Sequence, residues 1–501
     1  VVACSLEDTA TAYNVLGGTV TTRGDGAIGV LAVTGAGRDD FGDVTESSYV
    51  GENAYAVNGA FSFYGFDEAG EDAPRVLITD FMGEDFEDFS GEDIDFTGLR
   101  SYVTTSGDYA HGVAALANGD DEYSVDASAF NFYGTIVTGD SEGEDGVGSV
   151  GVRAYANYGD AWAANKYVSS ITTYGDGATG LQAIAVYGDA RASNKYNSTI
   201  VTHGDNAAGM VARADINVGV GEFDAQVYNL GSSITTYGDA SVGIIATAYG
   251  DVFVVNDNDE IGEDVVVGSI TTYGSSADGI YAAGGEDVRV LNYGAITTSG
   301  EDSDGITAFA GSSETEEAQI VNFGSVTVTG DGSDAIVASG YSVEIENKYD
   351  ASISSTSGFA ILVTESDYVS IMNEGSITGK IYADADDDID FENKYHGTIT
   401  STQDRVLIDL DSDEGDVSFL NDGSITQTGG GTTSNSTATI RIEAYDLAEF
   451  ENNGTISSNN YSYYDDGFVV DIDAGYANVD STEYITISTT GNATEYGTLY
   501  H

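Results

Sequence analysis

The chain has 501 residues, with 84 Asp+Glu against 15 Lys+Arg for a formal charge of -69, 65 Gly, 1 Pro, 1 Cys and 41% hydrophobic residues. So acidic a chain excludes nucleic-acid phosphates and anionic membrane surfaces as main partners, and no apolar run approaches the roughly 20 residues of a spanning helix. Val, Ile, Ala, Tyr and Phe recur throughout, so the acidity is compatible with a buried core.

The first nine residues lack the basic stretch of a signal peptide, and the chain reads as soluble. Val1-Val2-Ala3-Cys4 has the form of a bacterial lipobox. Lipidation of Cys4, a plain buried or edge thiol, and an intermolecular disulfide stay open, whereas a lone cysteine excludes an internal disulfide framework.

From Ala10 onward an apolar-x-apolar-x-Asn pattern repeats fourteen times, ending in Asn14, Asn58, Asn131, Asn165, Asn194, Asn229, Asn256, Asn292, Asn322, Asn347, Asn373, Asn393, Asn421 and Asn452. Alternation at period two predicts strands, with Ala, Val, Phe and the Asn facing inward and residues such as Arg289, Glu344 and Asp390 facing out. A few residues later comes Gly/Ser-x-Ile/Val-Thr, as at Ile136, Ile171, Ile200 and Ile296, and then Gly-apolar-x-Ala, as at Gly180-Leu181 and Gly305-Ile306. Three short strands per repeat, separated by Gly-Asp, Gly-Ser or Asn-x-Gly turns, with a mean period of about 29 residues, predict a three-sided coil. Stacked at about 4.8 Å, roughly 16 coils make an all-β, right-handed parallel β-helix, a single solenoid over residues 1–501. The inward Asn residues are expected to form an internal ladder, each amide bonding along the axis to its counterpart one coil away. Near-absence of proline agrees, since interior strands need every N–H.

Residues 61–100 break the repeat with many acidic and Phe residues and the lone Pro74, and read as an irregular acidic insertion. Within it Ile94, Phe96 and Gly98 look like one coil whose Asn has become Gly. Residues 460–501 read as irregular terminal coils, with Ile485 to Ser488 still strand-like.

The run Asn292-Tyr293-Gly294-Ala295-Ile296-Thr297-Thr298-Ser299-Gly300 followed by Gly305-Ile306-Thr307-Ala308 resembles the passenger regions of bacterial autotransporters and related secreted right-handed β-helix adhesins, over about residues 10 to 460. The resemblance implies a product secreted by a bacterium and placed outside the cell or on its surface, mostly as adhesin, fibre or layer. It covers the rod alone, since neither a secretion signal nor a membrane barrel is part of this chain.

Gly-Asp corners at Asp108, Asp140, Asp176, Asp205, Asp239 and Asp331 stack carboxylates coil upon coil, which either bind calcium or form a solvated acidic face. Four of the five lysines fall in Asn-Lys-Tyr, at Lys166, Lys195, Lys348 and Lys394. They are expected to offset corner carboxylates while Tyr167, Tyr196, Tyr349 and Tyr395 cover the turn, or to touch a neighbouring subunit's acidic face. Tyr-Gly-Asp turns such as Tyr174, Tyr187, Tyr237 and Tyr249 suit stacking on sugar rings or on other rods. Sequons occur at Asn197, Asn435, Asn453, Asn460 and Asn492. The histidines at 111, 203, 396 and 501 have neither metal nor triad spacing, so no catalytic residue is assigned and the chain reads as a non-enzyme. Open strand edges favour copies joining head to tail into a fibre or surface layer; a monomeric adhesin binding carbohydrate is the alternative, and a polysaccharide-degrading enzyme a remote one.

Overall fold

The structure, a computed structural model, describes residues 1–5, 9–14, 17–34, 53–59, 63–66, 72–75, 100–119, 124–141, 146–214, 223–261, 264–403, 406–428, 439–458, 470–481 and 485–487. Most of the 61–100 insertion and much of 460–501 lie outside these residues. Among the described residues there is no helix, and the fold is an all-β parallel β-helix with three strands to a coil. The chain divides into two compact units, Val1–Thr235 with Asp257–Ser269, and Thr236–Asn256 with Ile270–His501.

In the first unit the asparagine face is built from Ala10–Asn14, Ala54–Asn58, Ala127–Phe132, Ala161–Lys166, Ala190–Lys195 and Ala225–Leu230, paired parallel and Asn to Asn. The isoleucine face follows in each coil, as Thr19–Arg23, Ser101–Ser106, Gly134–Thr138, Ser170–Tyr174 and Thr199–His203. The glycine face closes the coil, from Val2–Ser5 through Ile28–Thr34, His111–Ala117, Val150–Tyr158 and Thr179–Tyr187 to Ala208–Ala214. Asn58 pairs directly with Asn131 across the 61–100 insertion, where the sequence reading placed a coil at Ile94, Phe96 and Gly98. Those three residues themselves lie outside the described ones.

The second unit repeats the same order of faces. Its asparagine strands run from Val252–Asp257 and Val288–Asn292 to the end of Ile440–Asn452, and its isoleucine strands from Ala295–Thr298 to Thr455–Ser458. Some corners are bent rather than broken: Ser352–Asn373 runs unbroken along all three faces, with register shifts between Ser354 and Phe359 and between Val363 and Ser366. Two antiparallel hairpins stand off the coils, Phe63–Phe66 with Asp72–Arg75 and Asp259–Ile261 with Asp264–Val266.

Packing explains the Gly-apolar-x-Ala motif. A Cβ built on Gly180 would meet the Ile200 Cγ2 methyl and the Gly209 carbonyl, and one on Gly279 would meet Ile296 and the Gly305 carbonyl. The glycine is there because the isoleucine of the next coil fills its place, a close-packing demand rather than a dihedral one. Inward positions differ in size between the units. Ala129, Ala163 and Ala192 precede the ladder in the first, while Phe391, Phe419 and Phe450 stack at 5.1 and 5.0 Å in the second, all buried.

Candidate functional site

The inward asparagines form the expected ladder. In the first unit each Nδ2 donates to the next Oδ1, from Asn14 through Asn58, Asn131, Asn165 and Asn194 to Asn229, at 2.8 to 2.9 Å. In the second the same bond links Asn256, Asn292, Asn322, Asn347, Asn373, Asn393, Asn421 and Asn452 at 2.7 to 2.9 Å. The second amide hydrogen goes to a backbone carbonyl at the corner, as from Asn165 to Thr199 and from Asn292 to Ser325, both 3.3 Å. These amides are fully engaged in holding coil to coil, which is why a buried polar row is tolerated.

Carboxylates are used the same way. At the Gly-Asp corners Asp25 accepts the Asp108 N–H (3.2 Å), Asp108 accepts those of Gly146 and Val147 (3.2 and 3.1 Å), Asp176 that of Asp205 (3.0 Å) and Asp239 that of Ser275 (2.9 Å). Asp140 and Asp331 lie in the corresponding turns. The carboxylates of Asp25, Asp108, Asp176 and Asp239 thus each meet a backbone donor of the next coil, and among the described residues no group of three His, Cys, Asp or Glu is placed to hold a metal ion.

Two further rows went unnoticed in the sequence. Asp126, Asp160 and Asp189 accept the N–H of Asp160, Asp189 and Asp224 at the entry to the asparagine face. In the second unit Asp278, Asp304 and Asp334 accept those of Asp304, Asp334 and Phe359, just before the glycine-face strand. Burial pushes Asp278 and Asp334 up to about 6 and raises Asp304, against the opposing effect of the N–H each accepts. The readable signal was Asp-Gly-Ile at 278 and 304, with Asp-Ala-Ile at 334.

The Asn-Lys-Tyr lysines divide by unit. Lys348 pairs with Glu346 at 2.6 Å and Lys394 with Glu392, two residues back on the same strand face. Lys166 and Lys195 are instead buried, their Nζ 4.9 Å from the Trp162 ring centroid and 5.0 Å from that of Tyr228, with Arg191 between the two rings at 5.6 and 4.8 Å. The tyrosines divide likewise. Tyr167 and Tyr196 stack at 4.7 Å over their corner, but Tyr349 and Tyr395 are 59% and 79% exposed and do not cover theirs, which corrects the expectation for those two. Exposed Tyr237 and Tyr273 stack at 5.1 Å, and Tyr158 and Tyr187 at 4.2 Å.

The histidines are dispersed. His111 is buried against Val150 and Arg153, and burial, then the Arg153 charge, lowers it to about 4; His203 stacks on Tyr174, and His396 lies edge-on to Tyr349 and Tyr395. Cys4 is an exposed free thiol on the strand Val2–Ser5. Of the sequons, Asn197 is exposed and Asn453 donates to Asp422 and Glu451, while Asn435, Asn460, Asn492 and also His501 lie outside the described residues.

Comparison with protein-family models, with curated proteins and with solved structures gave no match to this chain.

Proposed function

We propose that this chain is an extracellular structural protein, a subunit of a bacterial surface fibre or layer in which β-solenoid rods of the autotransporter-passenger type associate head to tail. The observation that carries this reading is the use made of the repeated polar side chains. Asparagine amides and corner carboxylates bond coil to coil, so the repeat is committed to building an extended stack of strands. A strand edge offers the next copy the same backbone register that each coil offers its neighbour, and a non-closing contact of that kind gives a filament. Sizing chromatography with negative-stain microscopy tests it: threads of uniform width are expected. A monodisperse single chain at every salt concentration and at millimolar calcium would defeat it.

A second reading, a surface adhesin for neutral carbohydrate, is favoured by one feature, the half-exposed stack of Tyr237 on Tyr273. Binding to a glycan array that Tyr237→Ala and Tyr273→Ala together abolish would select it.

A further inference from the structure

We propose that copies of this chain pack side by side through the isoleucine face. This deepens the structural reading above and rests on it, naming the surface through which its subunits meet laterally.

The face stands apart in charge. In the second unit its outward positions form rows of hydroxyls, one of them Thr297, Thr327, Ser354, Thr378, Thr400 and Thr426, each residue paired in register with the next coil's. All six are partly or fully exposed, and the isoleucine-face segments that carry them, 295–298, 325–328, 352–355, 376–379, 398–401 and 424–427, contain no charged residue; the two longer strands gain Glu365, Asp367, Lys380 and Asp384 only beyond the corner. From Glu344 onward the other two faces carry outward carboxylates, with Glu344, Glu346, Asp390 and Glu392 on the asparagine strands and Asp384, Asp409, Asp411 and Glu443 on the glycine strands, whereas the earlier strands Ile280–Ala283, Val288–Asn292 and Ile306–Phe309 carry none. In the first unit the strands of all three faces carry no Asp or Glu, so the contrast belongs to the second unit; on the first unit's isoleucine face Ser170 donates to Thr135 across coils at 3.1 Å.

At a charge of -69 two copies repel wherever carboxylate rows oppose one another. Like charges a few ångströms apart near a protein surface repel, and the rows repeat that opposition at every coil. On the second unit, the isoleucine face is where the strands that meet bring no such opposition. Threonine methyls are buried, hydroxyls find partners across the contact, and both copies present the same spacing of about 4.8 Å, so a whole-coil offset restores the match. The patch on the second unit measures about 30 Å along the stack by about 13 Å across, roughly 400 Å². That is about half of what a standard interface buries per partner, so one contact is weak and persists when many act in parallel. Salt then has an inverted effect. It shortens the reach of the long-range repulsion from about 30 Å at 0.01 M to about 8 Å at 0.15 M while leaving an uncharged contact intact.

The test uses the full chain at 0.01, 0.15 and 0.5 M NaCl, followed by sedimentation and negative stain. Wild type is expected to associate laterally more as salt rises. Thr327→Asp and the more exposed Thr378→Asp should each raise the concentration needed by at least tenfold, with circular dichroism unchanged, while Thr327→Val should leave it within twofold. Aspartate variants that still bundle like wild type overturn this inference and leave the structural reading standing. Wild-type chains that never associate under any condition defeat the structural reading first. Bundles dissolved by a neutral cello-oligosaccharide at millimolar concentration overturn the inference by giving the face to a sugar.

Discussion

The corner after the isoleucine strand is built from similar residues in the two units, yet its hydrogen bonds differ. Thr173 in the first unit and Thr272 in the second are both buried, each followed by five residues ending in alanine. In the first, Gly175 and Gly177 take φ of 98° and 67°, the Gly175 carbonyl accepts the Ala178 N–H at 3.2 Å, and the Ala178 carbonyl accepts Ala208 from the next coil. No protein acceptor is left for the Thr173 hydroxyl, nor for those of Thr138 and Thr202. In the second, Ser275 and Ser276 replace Asp-Gly, only Ser276 takes a positive φ, and Thr272 donates to the Ala277 carbonyl at 2.6 Å. Thr236 and Thr298 do the same to Ser241 and Ser303. A buried corner threonine thus serves as a bonded pin at Thr236, Thr272 and Thr298 in the second unit and, in the first, at Thr105, which donates to the Ala110 carbonyl at 3.3 Å, while Thr138, Thr173 and Thr202 fill shape without a protein acceptor.

The sharpest contrast in expected stability concerns the inward position before the ladder. Phe419→Ala, which leaves Phe391 and Phe450 facing a void, is expected to destabilise the second unit by about 4 kcal/mol in urea denaturation. The first unit already holds alanine at this position, in Ala163, with the coil closed around it. A loss below about 1 kcal/mol would show that the aromatic stack is not what fills the second unit's core.

The half-buried aspartates of the second unit come next. The Asp278 carboxyl has its folded pKa raised to about 6 by burial, above an unfolded value near 4. Between those values the folded chain holds a proton that the unfolded chain has released, so the extra stability is complete below about pH 4 and is lost as pH rises through about 6. All 84 acidic residues change their mutual repulsion over the same range, so the measurement is a difference. Asp278→Asn should flatten the stability gain between pH 7.5 and 5 by about 1.4 kcal/mol relative to wild type, and an unchanged slope would remove Asp278 from the account.

Smaller and opposite effects are expected at the two corner threonines. Thr272→Val removes a bonded hydroxyl and strands the Ala277 carbonyl, which should destabilise by about 1 to 2 kcal/mol. Thr173→Val exchanges a hydroxyl without a protein acceptor for a methyl, which should be neutral or stabilising by up to about 1 kcal/mol. Equal losses at both sites would erase the distinction between the corners.

The strand order within a coil, the fourteen asparagines and their bonding along the stack were all legible before any coordinates, because a period of two and a repeating inward amide leave few other arrangements. Glycine before the apolar residue was visible as a motif, but its cause was not, since Ile200 presses on Gly180 from a different coil. The half-buried Asp278, Asp304 and Asp334 were missed because composition hides them: in so acidic a chain an Asp beside Gly-Ile carries no mark of its surroundings. Nor did the Lys in Asn-Lys-Tyr announce its surroundings. Those are decided two and four residues back on the outward face, where Glu346 and Glu392 stand in the second unit and Trp162 in the first.

That last difference sets the smallest expected effect. Lys394→Met removes a partly exposed ion pair of a kind worth about 0 to 1 kcal/mol, and the charge it leaves, Glu392, can hydrate; a change under about 0.5 kcal/mol is expected, vanishing in 0.5 M salt. Lys166→Met keeps the alkyl stem over Trp162 and loses the attraction of the ammonium for the ring, about 1 to 2 kcal/mol in so desolvated a place, with little response to salt. Because both lysines follow a ladder asparagine and precede a tyrosine, local sequence predicts equal behaviour. Unequal salt dependence is therefore the measurement that tells the outward face from the motif, and identical salt curves for the two variants would return the decision to the motif.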